Sequence, residues 1–140
     1  MKKTSLLSIT FFVLSVLILA ACSGGVAASV AGEWMLISYG EASNPTPAVP
    51  NVETSITFDE KGQFGGNVGC NSFGADYKVD GDQIIFGPII STMMFCDATS
   101  PQESAVLNIL SDKTVKYQID GEQLTITSSD GASVVVLAHK

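Results

Sequence analysis

The sequence predicts an α+β domain, a mostly antiparallel β-sheet curled toward a barrel with one packed α-helix at about residues 100–111. Two observations carry this. Short alternating apolar segments recur between strong turn signals, among them Asp80-Gly81, Asp120-Gly121 and Asp130-Gly131, and Asp-Gly between such segments is a hairpin signature. Only Ser100-Pro101-Gln102-Glu103 and the apolar residues after it carry helix-start chemistry and helical spacing. Strands, one helix and then strands again is the order of an α+β chain.

The chain opens with targeting features. Lys2 and Lys3 form a basic start, and Leu6 to Leu19 is apolar apart from Ser8, Thr10 and Ser15. That run is short for a helix crossing ~30 Å of hydrocarbon, and small residues follow it, as in a secretory signal. Leu19-Ala20-Ala21-Cys22 resembles the bacterial lipobox, whose cysteine is acylated and becomes the mature N-terminus. The expected division is therefore residues 1–21 as signal peptide, 22–31 as lipidated N-terminus and flexible tether, and 32–140 as one domain. The alternative is an ordinary signal cut nearby, with Cys22 a bystander. Ser23 after the cysteine goes with outer-membrane sorting in Gram-negative lipoproteins.

Composition excludes some partners. The formal charge is −7 and no residue is arginine, so the basic footprint that nucleic acid requires is missing. Removing Lys2 and Lys3 with the leader makes the remainder still more acidic, which disfavours lying flat on anionic lipid. With Cys22 lipidated, Cys70 and Cys96 remain, and an oxidising compartment favours their pairing over two buried free thiols. The long loop so closed gives about 3.5 kcal/mol by chain entropy.

Along the domain, Glu33 to Tyr39 reads as a first strand with both faces largely covered and Trp34 in the core. Asn44 to Asn51, with Pro45, Pro47 and Pro50, reads as a loop. Thr54–Phe58 and Gln63–Val68 form a hairpin around Asp59-Glu60-Lys61-Gly62, and Gly65, Gly66 and Gly69 suggest a bulge or bend before Cys70. Tyr77-Lys78-Val79-Asp80-Gly81-Asp82-Gln83-Ile84 is echoed by Tyr117-Gln118-Ile119-Asp120-Gly121-Glu122-Gln123-Leu124, two hairpins with one turn solution. In the helix, Ser100 is expected as N-cap and Pro101 as first residue. Ala105, Val106, Ile109 and Leu110 form its buried stripe. The final strand is Ser133 to Ala138.

The Gly69-Cys70-Asn71 motif, Phe73, the Tyr77 hairpin, Phe86-Gly87-Pro88, Thr92-Met93-Met94, Cys96, Glu103 and the apolar helix together resemble the META domain, or HslJ-like, family. The resemblance runs from about Gly32 to Leu137. It implies a compact β-rich domain with one helix and an envelope setting, often as a bacterial lipoprotein. It implies loose links to stress response and no established enzymatic activity.

The residues offer little for catalysis. The only histidine, His139, is next to the C-terminus and is expected to fray, a poor base for a triad. A structural zinc site needs about four Cys or His ligands. Asp80, Asp82, Asp120, Glu122 and Asp130 read as turn chemistry before calcium ligands. The expectation is no catalytic residue, no cofactor and no metal. Asn71, Ser72, Thr92, Met93 and Gln102 form a candidate binding surface, with Asn71 also suited to a structural corner and at least one of Met93 and Met94 to core filling. The expected role is a lipid-anchored, non-catalytic envelope module, attached to the membrane through its N-terminal lipid and binding an envelope protein. The alternatives are a carrier with an apolar cavity lined by Trp34, Phe58, Phe73 and Phe86, and, third, an enzyme.

Overall fold

A computed structural model describes residues 29–111 and 114–140. The expected signal peptide, Cys22 and most of the expected tether lie outside the described residues. The strands are β1 (Gly32–Glu41), β2 (Thr46–Pro47), β3 (Ser55–Phe58), β4 (Gln63–Asn67), β5 (Ser72–Asp80), β6 (Gln83–Phe86), β7 (Ile90–Ser91), β8 (Thr114–Asp120), β9 (Gln123–Thr127) and β10 (Ser133–His139). The helix α1 spans Ser100–Leu110.

All pairings are antiparallel, in the order β10-β9-β8-β6-β5-β4-β3-β1, and β1 closes the circle on β10. The α+β barrel is thus the observed architecture. A barrel of about eight strands has an interior that side chains just fill. Here the filling is aromatic. Phe64 lies 4.9 Å from Phe58, 4.7 Å from Phe86 and 5.3 Å from Phe73 between ring centroids, and Tyr77 meets Phe58 edge-on at 5.1 Å. Trp34, Phe58, Phe73 and Phe86, which a ligand cavity would have to expose, are buried in this packed core.

Three hairpin turns crowd one end of the barrel. Each hands a turn carbonyl to a strand that follows. Gly62 O accepts from Tyr77 N at 2.7 Å, Asp82 O from Tyr117 N at 2.9 Å and Glu122 O from His139 N at 2.8 Å. The sequence echo has this meaning: β5–β6 and β8–β9 are successive hairpins, joined where β6 pairs with β8. Their two-residue turns are Gly81-Asp82 and Gly121-Glu122, because Asp80 pairs with Gln83 and Asp120 with Gln123. Glycine therefore takes the first turn position, at φ 61° and 59°, and the aspartate before it ends the strand. That is the II′ arrangement, one residue later than an Asp-Gly turn.

Several expectations need correction. β1 covers one face only, since Trp34 and Leu36 are buried while Met35 and Ile37 are exposed. A register shift between Leu36 and Ser38 then turns Tyr39 toward the core. The proline-rich loop supplies β2, whose Thr46 and Pro47 pair with Tyr39 and Ser38 at an edge where a missing N–H is tolerated. Of the bulge or bend expected before Cys70, the bend is present at residues 68–70, while β4 itself carries no bulge and keeps a continuous register with β3 and β5. Its glycines answer close approach instead, since a Cβ on Gly66 would lie 1.9 Å from Ser55 O. The expected tether gives out before Ala31, because Val30 is buried and its carbonyl accepts from Trp34 Nε1 at 2.8 Å. His139 does not fray. It ends β10 with its ring 5.1 Å from that of Trp34.

The helix covers the opposite end of the barrel, touching β1 and β10. Its N-cap is Thr99, not Ser100, and no side chain caps it. Cys96 O instead accepts from Thr99 N at 3.0 Å and Ser100 N at 2.9 Å. Val106, Ile109 and Leu110 face inward as the spacing predicts, joined by Gln102 and Glu103.

Candidate functional site

The site forms where the corner between β4 and β5 meets the first turn of α1. Gly69 makes that approach possible: a Cβ there would lie 2.7 Å from Thr99 Cβ and 3.0 Å from Glu103 Cγ. Glu103, expected to reach back to the helix cap, crosses to the corner. Its Oε1 accepts from Cys70 N at 2.7 Å and from Asn71 N, and its Oε2 accepts from Asn71 Nδ2 at 3.0 Å. A carboxylate in the first helical turn also sits well with the helix dipole.

Asn71 passes the connection onward. Its Nδ2 donates to Met94 O at 2.9 Å, and its Oδ1 accepts from Thr92 Oγ1 at 2.8 Å and Met94 N at 2.7 Å. Both amide protons and both carbonyl lone pairs are thereby used, the full capacity of the side chain. Thr92 N donates to Ser72 O at 3.0 Å, and Ser72 N to Thr92 Oγ1 at 3.2 Å. The Cys70–Cys96 disulfide spans the same two segments, with Cα atoms 6.1 Å apart.

These contacts redistribute the candidate surface. Asn71 and Gln102 are buried and cannot present their side chains. Gln102 joins two loops, accepting from Val49 N at 2.7 Å and donating to Val68 O at 2.6 Å. Ser72, Thr92 and Met93 remain exposed. Met93 and Met94 fill no core: they are 97% and 61% exposed, Phe95 is 80% and Ile90 78%. Met93, Met94 and Phe95 make an apolar ridge held from behind by Asn71 and the disulfide, and exposed Ile90 precedes it on β7. A shallow groove runs between Met94, Phe95 and the Ser100, Ser104 and Leu107 face of α1. Sequence reasoning missed Ile90 and Phe95. The available signal was an apolar triplet, Met93-Met94-Phe95, in the short interval between a Gly-Pro turn and a helix start.

The profile of the META domain family matches residues 27–140. The chain belongs to the META domain family. A comparison with curated proteins finds none that matches. Among solved structures, an NMR structure of a protein from Burkholderia xenovorans shares 23% identity at a TM-score of 0.62, covering 78% of this chain and 81% of that one. A crystal structure of a DUF4847 family protein from Bacteroides vulgatus shares 18% identity at a TM-score of 0.57, covering 79% and 93%. At those identities the likeness is one of fold.

In this META domain the titratable groups with a resolved displacement lie away from the ridge. The Glu33 carboxyl is held below its ordinary value by the hydrogen bonds it accepts from Lys140 and Ser55. Asp130 is lowered chiefly by the Ser128 hydroxyl in the β9–β10 turn. Tyr77 is raised by burial. Each belongs to a turn, strand end or barrel wall. Among the described residues no three His, Cys, Asp or Glu side chains gather to hold a metal ion. Of the two aspartates flanking Gly81, Asp80 ends β5 and Asp82 completes the turn; Asp120 and Glu122 hold the same places around Gly121.

Proposed function

We propose that this META domain is a non-catalytic module, lipid-anchored in a bacterial cell envelope, that works by binding a protein partner through the ridge of Met93, Met94 and Phe95. The observation that carries the reading is the exposure of three large apolar side chains on a backbone fixed at both ends. Solvent-exposed apolar clusters on a rigid base mark interaction surfaces, and methionine adapts its shape to a partner.

Two further features favour a protein over the anchoring bilayer as occupant. The described chain starts at Ser29 and Val30, beside Glu60, Tyr77 and Tyr117 at the hairpin end of the barrel. The ridge lies at the helix end. If Cys22 carries lipid, the anchored chain enters the domain at the end opposite the ridge. Lying flat would bring acidic walls against the lipid surface, and the described lysines, Lys61, Lys78, Lys116 and Lys140, are not in the ridge segment.

Site-specific photocrosslinking in the native envelope tests this. A photoreactive phenylalanine analogue at position 95 is expected to give a discrete adduct, lost in Met93→Ser, and the same probe at Thr57 on the outer barrel wall is expected to give none. Equal adducts from both positions, or an adduct from Thr57 alone, overturn the docking site. Cys22→Ala is expected to release the domain from the membrane fraction or leave it unprocessed. Normal processing and retention in that variant remove the lipid anchor from the reading.

A further inference from the structure

The chain has four methionines. One is Met1, outside the described residues, one is Met35 on the barrel wall, and two sit side by side on the ridge. Met35 is 40% exposed, against 97% for Met93 and 61% for Met94. Oxidation of a methionine follows access to its sulfur and turns an apolar, flexible side chain into a polar one. The ridge segment is held through its backbone. Met94 N and Met94 O are both bonded to Asn71, Thr92 N donates to Ser72 O, and Cys96 is tied to Cys70. The two methionine side chains stand outside the core, so a change in their polarity leaves the fold in place.

We infer that Met93 and Met94 form an oxidative modification site that converts the ridge from apolar to polar without unfolding the domain. This rests on the docking role proposed for the ridge, which the modification would switch off. The oxidant is of the peroxide or hypohalous acid class. With a peroxide, a thioether lone pair attacks a peroxide oxygen, and the S–O bond forms as the O–O bond breaks. With a hypohalous acid it attacks the halogen, hydroxide leaves, and water then forms the S–O bond as the S–halogen bond breaks. Sulfur loses two electrons to the oxidant, and water, or halide and a proton, leaves. The product is a sulfoxide on each side chain. Its S=O accepts hydrogen bonds from water, and burying it against an apolar socket without a partner is unfavourable.

The test is a hypochlorite titration of the purified protein, followed by peptide mass mapping, thermal melting and retention on a phenyl matrix. Met93 is expected to gain oxygen first, then Met94, and Met35 last. Retention is expected to fall to that of M93Q/M94Q, with the melting temperature unchanged. M93L/M94L, apolar but without sulfur, is expected to keep its retention at the same oxidant dose. Oxidation of Met35 ahead of the ridge, unchanged retention after both ridge sulfoxides have formed, or a collapse in melting temperature that accompanies them overturns the inference. The position-95 crosslink separates this from the docking reading. Its absence in unoxidised protein, with the retention switch intact, removes the partner but leaves the modification site. An adduct formed equally by oxidised protein leaves the partner and removes the switch.

Discussion

Asn71 Nδ2 and Glu103 Oε2 meet at 3.0 Å across 32 positions of sequence. Through this contact the helix, the β4–β5 corner and the ridge become one unit. Glu103 binds the corner backbone, and Asn71 binds both the carboxylate and the backbone of Met94. The network is buried, so removing a member leaves polar groups unpaired away from water.

Asn71→Leu is expected to destabilise the domain by about 2–3 kcal/mol, because Glu103 Oε2 and both polar atoms of the Met94 backbone lose their partner. Ser72→Ala, at an exposed neighbour, is expected to stay within about 0.5 kcal/mol. Urea unfolding of the two variants checks the contrast. Equal stability of both with the parent protein contradicts the structural role of Asn71.

The cysteines are 26 positions apart, a separation for which chain entropy gives about 3.5 kcal/mol. Cys70→Ser/Cys96→Ser is expected to lose roughly 3 kcal/mol and to speed hydrogen exchange in residues 92–96. Non-reducing peptide mapping of protein recovered from the envelope checks the pairing; two free thiols there contradict it.

Thr99 Oγ1 is buried with no hydrogen-bond partner. Thr99→Val keeps the shape and removes the unsatisfied hydroxyl, so it is expected to be neutral or stabilising by up to about 1 kcal/mol. Ser100→Ala is expected to cost less than the ~1 kcal/mol typical of a lost cap, because Ser100 does not cap. A full cap-sized loss at Ser100 would restore the capping box.

Asp130 accepts from Ser128 Oγ at 2.6 Å and from Ala132 N at 2.9 Å. Its folded pKa is lowered, so its stabilisation is complete above the unfolded aspartate value and is lost as pH falls through the lower folded value. Carboxyl NMR titration is expected to place its midpoint below the ordinary aspartate range, and Ser128→Ala to move it back up. An unmoved midpoint in that variant assigns the effect to the backbone donors.

Local chemistry alone determined the strand segments other than β2 and β7, the hairpin at Asp59–Gly62, the barrel class and the inward stripe of Val106, Ile109 and Leu110. Alternation, glycine turns and helical spacing act over a few residues and are visible in the order of the chain. The Cys70–Cys96 pairing was legible only on the expectation that Cys22 carries lipid in an oxidising compartment; the structure brings the two together. Tertiary structure decided what the polar residues do. Glu103 has a capping-box spacing, yet its carboxylate goes to a corner whose backbone N–H groups have no other acceptor. Gln102 looks free in the sequence, and Asn71 could be read there as a corner residue but its partners could not; both are consumed by groups that only the closed barrel brings near. At least one of Met93 and Met94 reads as core filling in the sequence, yet both remain outside with Phe95, because the aromatic interior is already full and the backbone of their segment is fixed facing water.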